Sequence, residues 1–256
     1  MDVRYHREQV FHNNAFAAGT RRRVDKFYSV ARDAFRFYES AIKCRAAGRS
    51  VLEYGCGADC YSLLFSKGAA LLTGIDLSDV GVDHARTKLR RAMDAPAQFS
   101  VMNAEALGFQ AASFDMICGV AILHHLDLKK AYAELSRVLR PNGVAVFLEP
   151  LGHNPVINGY RRMTPSLRTP DEHPLLMSDL ALAREYFGVV ETHFFTLSAM
   201  LAFPFHKSSA FTRLLNGLNA VDRALFAMAP FFRRYAWQTV MVLSAPTGRW
   251  AVKEGQ

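Results

Sequence analysis

Cysteine is scarce in this 256-residue chain: Cys44, Cys56, Cys60 and Cys118 are the four, and none belongs to a CxxC pair. The low count argues against a disulfide scaffold, and Cys56 and Cys60 lack the second pair that a zinc module needs. A reducing compartment, hence a cytoplasmic location, is the expectation. Long apolar runs are missing too. No stretch reaches the roughly 18–20 uncharged apolar residues that cross a bilayer, and the polar start MDVRYHREQV has no secretion-signal core. There is also no internal repeat, no low-complexity linker and no dense basic stripe interleaved with aromatics, so a nucleic-acid partner is not expected.

What is present is a globular composition, with 50% hydrophobic and 21% charged residues. That excludes wholesale disorder, and the length suits one large α/β domain with an appendage or two small domains. The net charge of +8 is uneven: residues 1–48 hold ten basic against five acidic residues, residues 49–150 ten against eleven, and residues 151–256 eleven against seven. Basic flanks of this kind attract an anionic membrane surface or an anionic small molecule, and are also the mark of a plain solvated surface.

From Ser50 the chain alternates between strand and helix patterns. SVLEYGCG is a short apolar run entering a glycine turn, YSLLFSKG has helical spacing, LLTGIDLS is a second strand ending in Asp76, and DVGVDHARTKLRRAMDA is an amphipathic helix closed before Pro96. QFSVMN, FDMICGVAIL and VAVFLEP read as three more strands, with a helix from Asp127 to Arg140 stopped by Pro141-Asn142-Gly143. This order predicts a doubly wound, mostly parallel sheet, with ligands outside the carboxyl ends of its strands. Beyond residue 150 come a Pro- and His-rich loop, the helix SDLALAREYF, the strand VVETHFFTL, an apolar stretch from Ser198 to Arg234, and a last strand WQTVMVLS.

The turn Glu53-Tyr54-Gly55-Cys56-Gly57-Ala58-Asp59 carries the first chemical signal, since glycine lets the backbone approach a ligand with no Cβ in the way. Asp76 ends the next strand about twenty residues on, where a carboxylate can accept two hydrogen bonds from a ribose diol. The pair indicates an adenosine-type ligand. A nicotinamide cofactor uses the same pair, but the full GxGxxG is absent because Cys60 stands at its last glycine. Glu53 would repel a pyrophosphate and suits a cationic ligand such as the sulfonium and ammonium of S-adenosylmethionine.

With VLEYGCG, GIDLS, NAEAL, SFDMICGVAILHHL and ELSRVLRPNGVAVFLEP in order, residues 50–150 resemble the class I S-adenosylmethionine-dependent methyltransferases, in particular the type 11 small-molecule group. The resemblance implies a Rossmann-like α/β fold with a seven-stranded sheet, an N-terminal helical lid (1–48), a cofactor-binding core (49–150), and an acceptor-site loop with a helical insertion before the last strand (151–256). It implies that Gly55, Cys56 and Gly57 lie against the methionyl end of the cofactor with Glu53 near its positive charge. Asp76 would hold the ribose, Leu77 would pack on the adenine, Asn103, Ala104 and Glu105 would flank the base, and Gly119 and Val120 would line the pocket. Two positions depart from the pattern: Asp59 replaces the usual third glycine, and Asn103 stands where an aspartate is common. A first-turn carboxylate is favoured by a helix dipole, and an Asn amide oxygen still accepts a hydrogen bond.

Methyl transfer needs an aligned nucleophile and, where that nucleophile bears a proton, a base. His124 and His125 follow the fourth strand at the sheet's carboxyl edge; His125 is the candidate base, with ordering of the loop before Asp127 as its structural alternative, and His124 reads as packing. Glu149, His153, Tyr160 and Arg161 are candidate acceptor contacts, and the spacing of histidines and carboxylates here makes no metal site. The insertion offers Leu214, Leu215, Leu218, Val221, Leu225 and Phe226 at helical spacing, with Phe203, Phe205, Phe211, Phe231 and Phe232, and reads as core, as an apolar acceptor pocket, or as peripheral contact with an anionic membrane. Near the N-terminus, Val24, Phe27, Tyr28, Ala31, Phe35 and Tyr38 share one helical face, and Tyr5 and Tyr28 can touch ligand or simply pack. The expected partner is a small, apolar or lipid-like acceptor. The competing functions are a nicotinamide oxidoreductase and a non-catalytic, membrane- or partner-binding module on the same core.

Overall fold

A computed structural model describes residues 3–18, 28–93 and 95–248. Seven strands form one sheet: β1 (Ser50–Tyr54), β2 (Leu71–Asp76), β3 (Ala97–Val101), β4 (Phe114–Val120), β5 (Leu139–Pro150), β6 (Phe187–Phe195) and β7 (Gln238–Pro246), in spatial order β3-β2-β1-β4-β5-β7-β6. The first five are mutually parallel, and β7 inserts antiparallel between β5 and β6. This is the doubly wound sheet expected from the sequence, with one reversed strand. The order reverses between β1 and β4, whose pairing aligns Val51 with Met116 and Glu53 with Cys118. At that switch point the chain segments leaving the two strands diverge and open a crevice at the carboxyl edge.

Two apolar layers sandwich the sheet. One carries Leu52, Tyr54, Ile117, Phe147 and Leu135; the other carries Val51, Leu72, Met116, Val146 and Tyr38, all fully buried. Alternate residues of β1 thus serve opposite faces, as the period-2 pleat of a strand covered on both sides demands. Among the described residues, six of seven α-helices flank or cap this sheet: α1 (Val3–Ala17), α2 (Arg32–Lys43), α3 (Asp79–Ala92), α4 (Leu128–Val138), α5 (Pro155–Met163) and α6 (Met177–Leu182). Ser78 caps α3 by accepting from Gly81 N, and Asp127 caps α4 by accepting from Lys129 N and Lys130 N. The seventh, α7 (Phe211–Met228), forms the insertion between β6 and β7.

Several boundaries differ from expectation. YSLLFSKG makes only a 3-10 turn, Leu63–Phe65, because the Glu53 carboxylate takes the Ser62 and Leu63 amides and fixes a tight bend. Pro141-Asn142-Gly143 does not stop the preceding helix; α4 ends at Val138, and the three residues lie within β5, whose start pairs Leu139 with Phe114 across a bulge. On α7 the buried face is Phe211, Leu215, Asn219, Asp222 and Phe226, whereas Leu214 and Val221 face solvent. Asp222 sets that rotation, accepting from the amides of Leu197, Ser198 and Ala199. On the N-terminal face Ala31 and Tyr38 are buried and Tyr28 is exposed, stacked on Trp237, while Val24 and Phe27 lie outside the described residues. Phe211 and Phe226 are core; Phe205, Phe231 and Phe232 are exposed.

Glu53 is fully enclosed between the sheet and the turn, and burial raises its carboxyl to about 7 against the pull of the Ser62 and Leu63 amides. A raised carboxyl pKa means that the folded protein holds a proton the unfolded chain has lost. Stability from this group is therefore present below about pH 4.5 and is lost as the pH rises through about 7. One group shifted this far is worth about 3 kcal/mol at most. Urea unfolding of the wild type and Glu53→Gln at pH 5.5 and 8 should show a fall in wild-type stability with pH that is smaller in the variant; parallel profiles would contradict the assignment.

Candidate active-site cleft

The crevice between β1 and β4 is a cleft of about 720 Å³ including its open mouth. Gly55 and Gly57 form its floor at positive φ, +73° and +51°. A Cβ on Gly55 would stand 2.7 Å from the Ile122 side chain, so glycine is required there both by conformation and by space. Cys60, at φ +38°, takes the left-handed turn where a dinucleotide motif has its last glycine. Asp59 is exposed and paired to Lys88 at 2.7 Å, away from the cleft.

Asp76 closes one side. Its two oxygens accept from Gly57 N at 2.8 Å and Ser78 N at 2.9 Å, which fixes the carboxylate at the mouth with further lone pairs available. Leu77, Asn103, Ala104, Glu105 and Val120 continue the wall, so eight of the eleven cofactor positions anticipated from the sequence border one cavity. Asn103 orders its own segment by accepting from Glu105 N. The other three do not border it. Glu53 is spent on the Ser62 and Leu63 amides, Cys56 is buried against Gly74, and Gly119 allows close packing of Tyr54, Ile122 and Phe147.

The far wall is α1, from which sequence reasoning singled out only Tyr5. Arg4 and Tyr5 both reach the buried Glu105 carboxylate, and Arg7 makes a two-point pair with Asp171 at 2.8 and 2.9 Å. Gln9 donates to Leu77 O, Asn13 donates to Asp79, and the Phe16 ring rests on Gly81, where a Cβ would stand 2.8 Å from it. Glu8, His12 and Phe16 also border the cleft. In sequence these are scattered polar residues; their shared i, i+3, i+4 face was the available signal.

His125 lies on the cleft wall beside Ile122, its Nδ1 3.4 Å from a Glu8 oxygen. His124 is buried, its Nδ1 2.8 Å from Glu149, and burial depresses its basicity well below that of free imidazole. Glu149 is a correction to the acceptor-contact expectation: it is 1% exposed and committed to Ile122 N, Leu123 N and His124 Nδ1. Burial raises its carboxyl to about 7. Its role is to hold residues 122–125 against the end of β5. His153 accepts from Met177 N, Arg161 pairs with Glu172 at 2.7 Å, and Tyr160 lies near Arg168; none of the three borders the cleft.

Fold and cleft together make a doubly wound sheet with a ligand-sized crevice at its switch point. Residues 52–147 match the family model described as a methyltransferase domain. An uncharacterized methyltransferase, YcgJ of Bacillus subtilis, is 30% identical over 150 residues, 58% of this chain and 58% of the relative. The 2-methyl-6-phytyl-1,4-hydroquinone methyltransferase of a Synechocystis species is 38% identical over 101 residues, 39% of this chain and 31% of the relative. The chain thus spans less than two thirds of the curated relatives it matches. Among solved structures, a putative Haloferax volcanii methyltransferase in complex with the Trm112 activator superposes with TM-score 0.61 at 18% identity, covering 92% of this chain and 97% of that one. At that identity the likeness is one of fold.

The residues present fit S-adenosylmethionine, the cofactor that a methyltransferase match implies: a glycine floor that a Cβ would fill and a fixed carboxylate at the mouth with lone pairs left for a ribose diol. Asp76→Ala should lower S-adenosylhomocysteine affinity by about tenfold or more while leaving the fold intact, since two charge-assisted hydrogen bonds are lost. Calorimetric titration checks this, and unchanged affinity would overturn the ribose assignment.

Proposed function

We propose that this protein transfers a methyl group from S-adenosylmethionine to a small, apolar or lipid-like acceptor. The single observation that carries the reading is the cleft at the β1/β4 switch point, with Gly55, Gly57, Asp76 and Asn103 on one wall and α1 on the other. The bound cofactor supplies a methyl carbon already activated by its sulfonium. The chain's own residues bind, orient and exclude water. Asp76 accepts from the ribose hydroxyls, Asn103 and Ala104 meet the base, and α1 covers the ligand. His125, on the wall and held by the Glu149-anchored residues 122–125, takes the proton of a hydroxyl acceptor at its ring nitrogen.

An apolar acceptor is supported by the insertion, which exposes Leu201, Phe205, Met228, Phe231 and Phe232, with the Arg234 guanidinium over the Phe231 ring. Aromatic and aliphatic tips among cations suit shallow contact with an anionic bilayer from which such an acceptor can be drawn. Among the described residues no helix is long and apolar enough to cross a membrane. The Synechocystis relative, by its name, acts on a phytyl hydroquinone, which is consistent with this class of acceptor.

Titration with S-adenosylhomocysteine, S-adenosylmethionine and NAD tests the reading: micromolar binding of the first two and none of NAD is expected, and the reverse would overturn it. With an acceptor in hand, His125→Ala should reduce turnover by about a hundredfold with little change in cofactor affinity. Equal turnover would make His125 a residue of loop order only.

A further inference from the structure

Half of the buried, unpartnered polar side-chain atoms among the described residues gather at one place on the cleft wall. Of eight such atoms, four are Glu8 Oε1, Glu8 Oε2, His125 Nδ1 and Thr169 Oγ1. Glu8 is 5% exposed and Thr169 6%. The Glu8 carboxylate meets the His12 and His125 imidazoles at ion-pair distance and lacks a close hydrogen bond, an arrangement that a bridging cation would also satisfy. One Glu8 oxygen stands 3.3 Å from His12 Nε2 and 3.4 Å from His125 Nδ1. The three ligand atoms lie within 4.8 Å of one another.

The two carboxylate–imidazole separations match the edges of a tetrahedron about a metal with bonds of about 2.0–2.1 Å, roughly 3.3–3.4 Å. Glu8 and His12 are four residues apart on α1 and so share one face, while His125 comes from the loop after β4. A second cluster, His124, His125 and Glu172, is a poorer cation site, because Arg161 and Arg168 already neutralise Glu172 at 2.7 and 3.7 Å.

We propose that Glu8, His12 and His125 bind one divalent transition-metal ion of the zinc type, latching α1 across the cleft. Two imidazoles and one carboxylate select zinc-like ions over magnesium or calcium, which prefer oxygen ligands. All three residues border the cleft, and the Thr169 hydroxyl is the nearby group to steady the Glu8 carboxylate. The inference takes the cleft's location from the methyltransferase reading and changes one detail in it. An ion on His125 Nδ1 and a proton on that atom exclude each other, so the loaded protein would bind an acceptor hydroxyl at the metal.

The test uses the full chain after chelation, with Co2+ as the probe and no cofactor or acceptor. One equivalent should bind and give visible ligand-field bands without the thiolate charge-transfer band expected if Cys44 were the ligand. Glu8→Gln and His12→Ala should each weaken Co2+ and Zn2+ affinity by at least about tenfold, with His84→Ala, at an exposed site, unchanged. Circular dichroism before titration shows which variants are folded, and either folded variant suffices. No saturable binding, thiolate bands, or affinity unchanged in both variants would overturn the metal site. S-adenosylhomocysteine titration of the metal-free chain reports separately on the cofactor reading.

Discussion

One buried carboxylate, Glu105, joins the parts of the cleft. It receives Arg4 and Tyr5 from α1 and the Asp127 amide at the start of α4, while its own amide is held by Asn103. Removing it would release the lid, the loop after β3 and the entrance to α4 together. A buried carboxylate is costly unless its lone pairs are filled, and here three donors from two distant segments fill them. The docking of α1 and the order of the wall at residues 103–105 therefore rest on the same set of bonds.

Helix α1 is held to the cleft mainly by polar contacts. It buries only Glu8 and Phe16, and most of its ties are polar: Arg7 to Asp171, Gln9 to Leu77, Asn13 to Asp79. Such ties exchange with water at little net cost, in contrast to an apolar seam, which opens only by exposing oil to solvent. A helix fastened this way can lift to admit a ligand while the sheet beneath stays intact. Glu149 works in the opposite sense. Buried at the end of β5, it pins residues 122–124, the segment that leads into His125.

The sheet was legible because its strands are apolar runs ended by Gly, Asp or Pro, with helices of clear period between them. All seven strands were anticipated, as was the carboxyl-edge site. What escaped was the work of buried polar side chains. Glu53 looked like a partner for the cofactor's charge but binds the Ser62 and Leu63 amides; Glu149 looked like an acceptor contact but supports the loop beside it. A carboxylate at a strand end looks the same in sequence whether it faces a ligand or a backbone amide. The roles of Arg4, Glu8 and His12 were hidden for a related reason: their partners lie about a hundred residues away in sequence, and only the docked helix brings them together.

The central claim is that α1 and the cofactor cleft form one closing unit. Hydrogen–deuterium exchange of residues 3–17, with and without saturating S-adenosylhomocysteine, tests it most directly. Closure over the ligand predicts that these amides slow markedly on binding, together with residues 103–105, while the β4–β5 core barely changes. Exchange in α1 that stays the same while the ligand is demonstrably bound would contradict it.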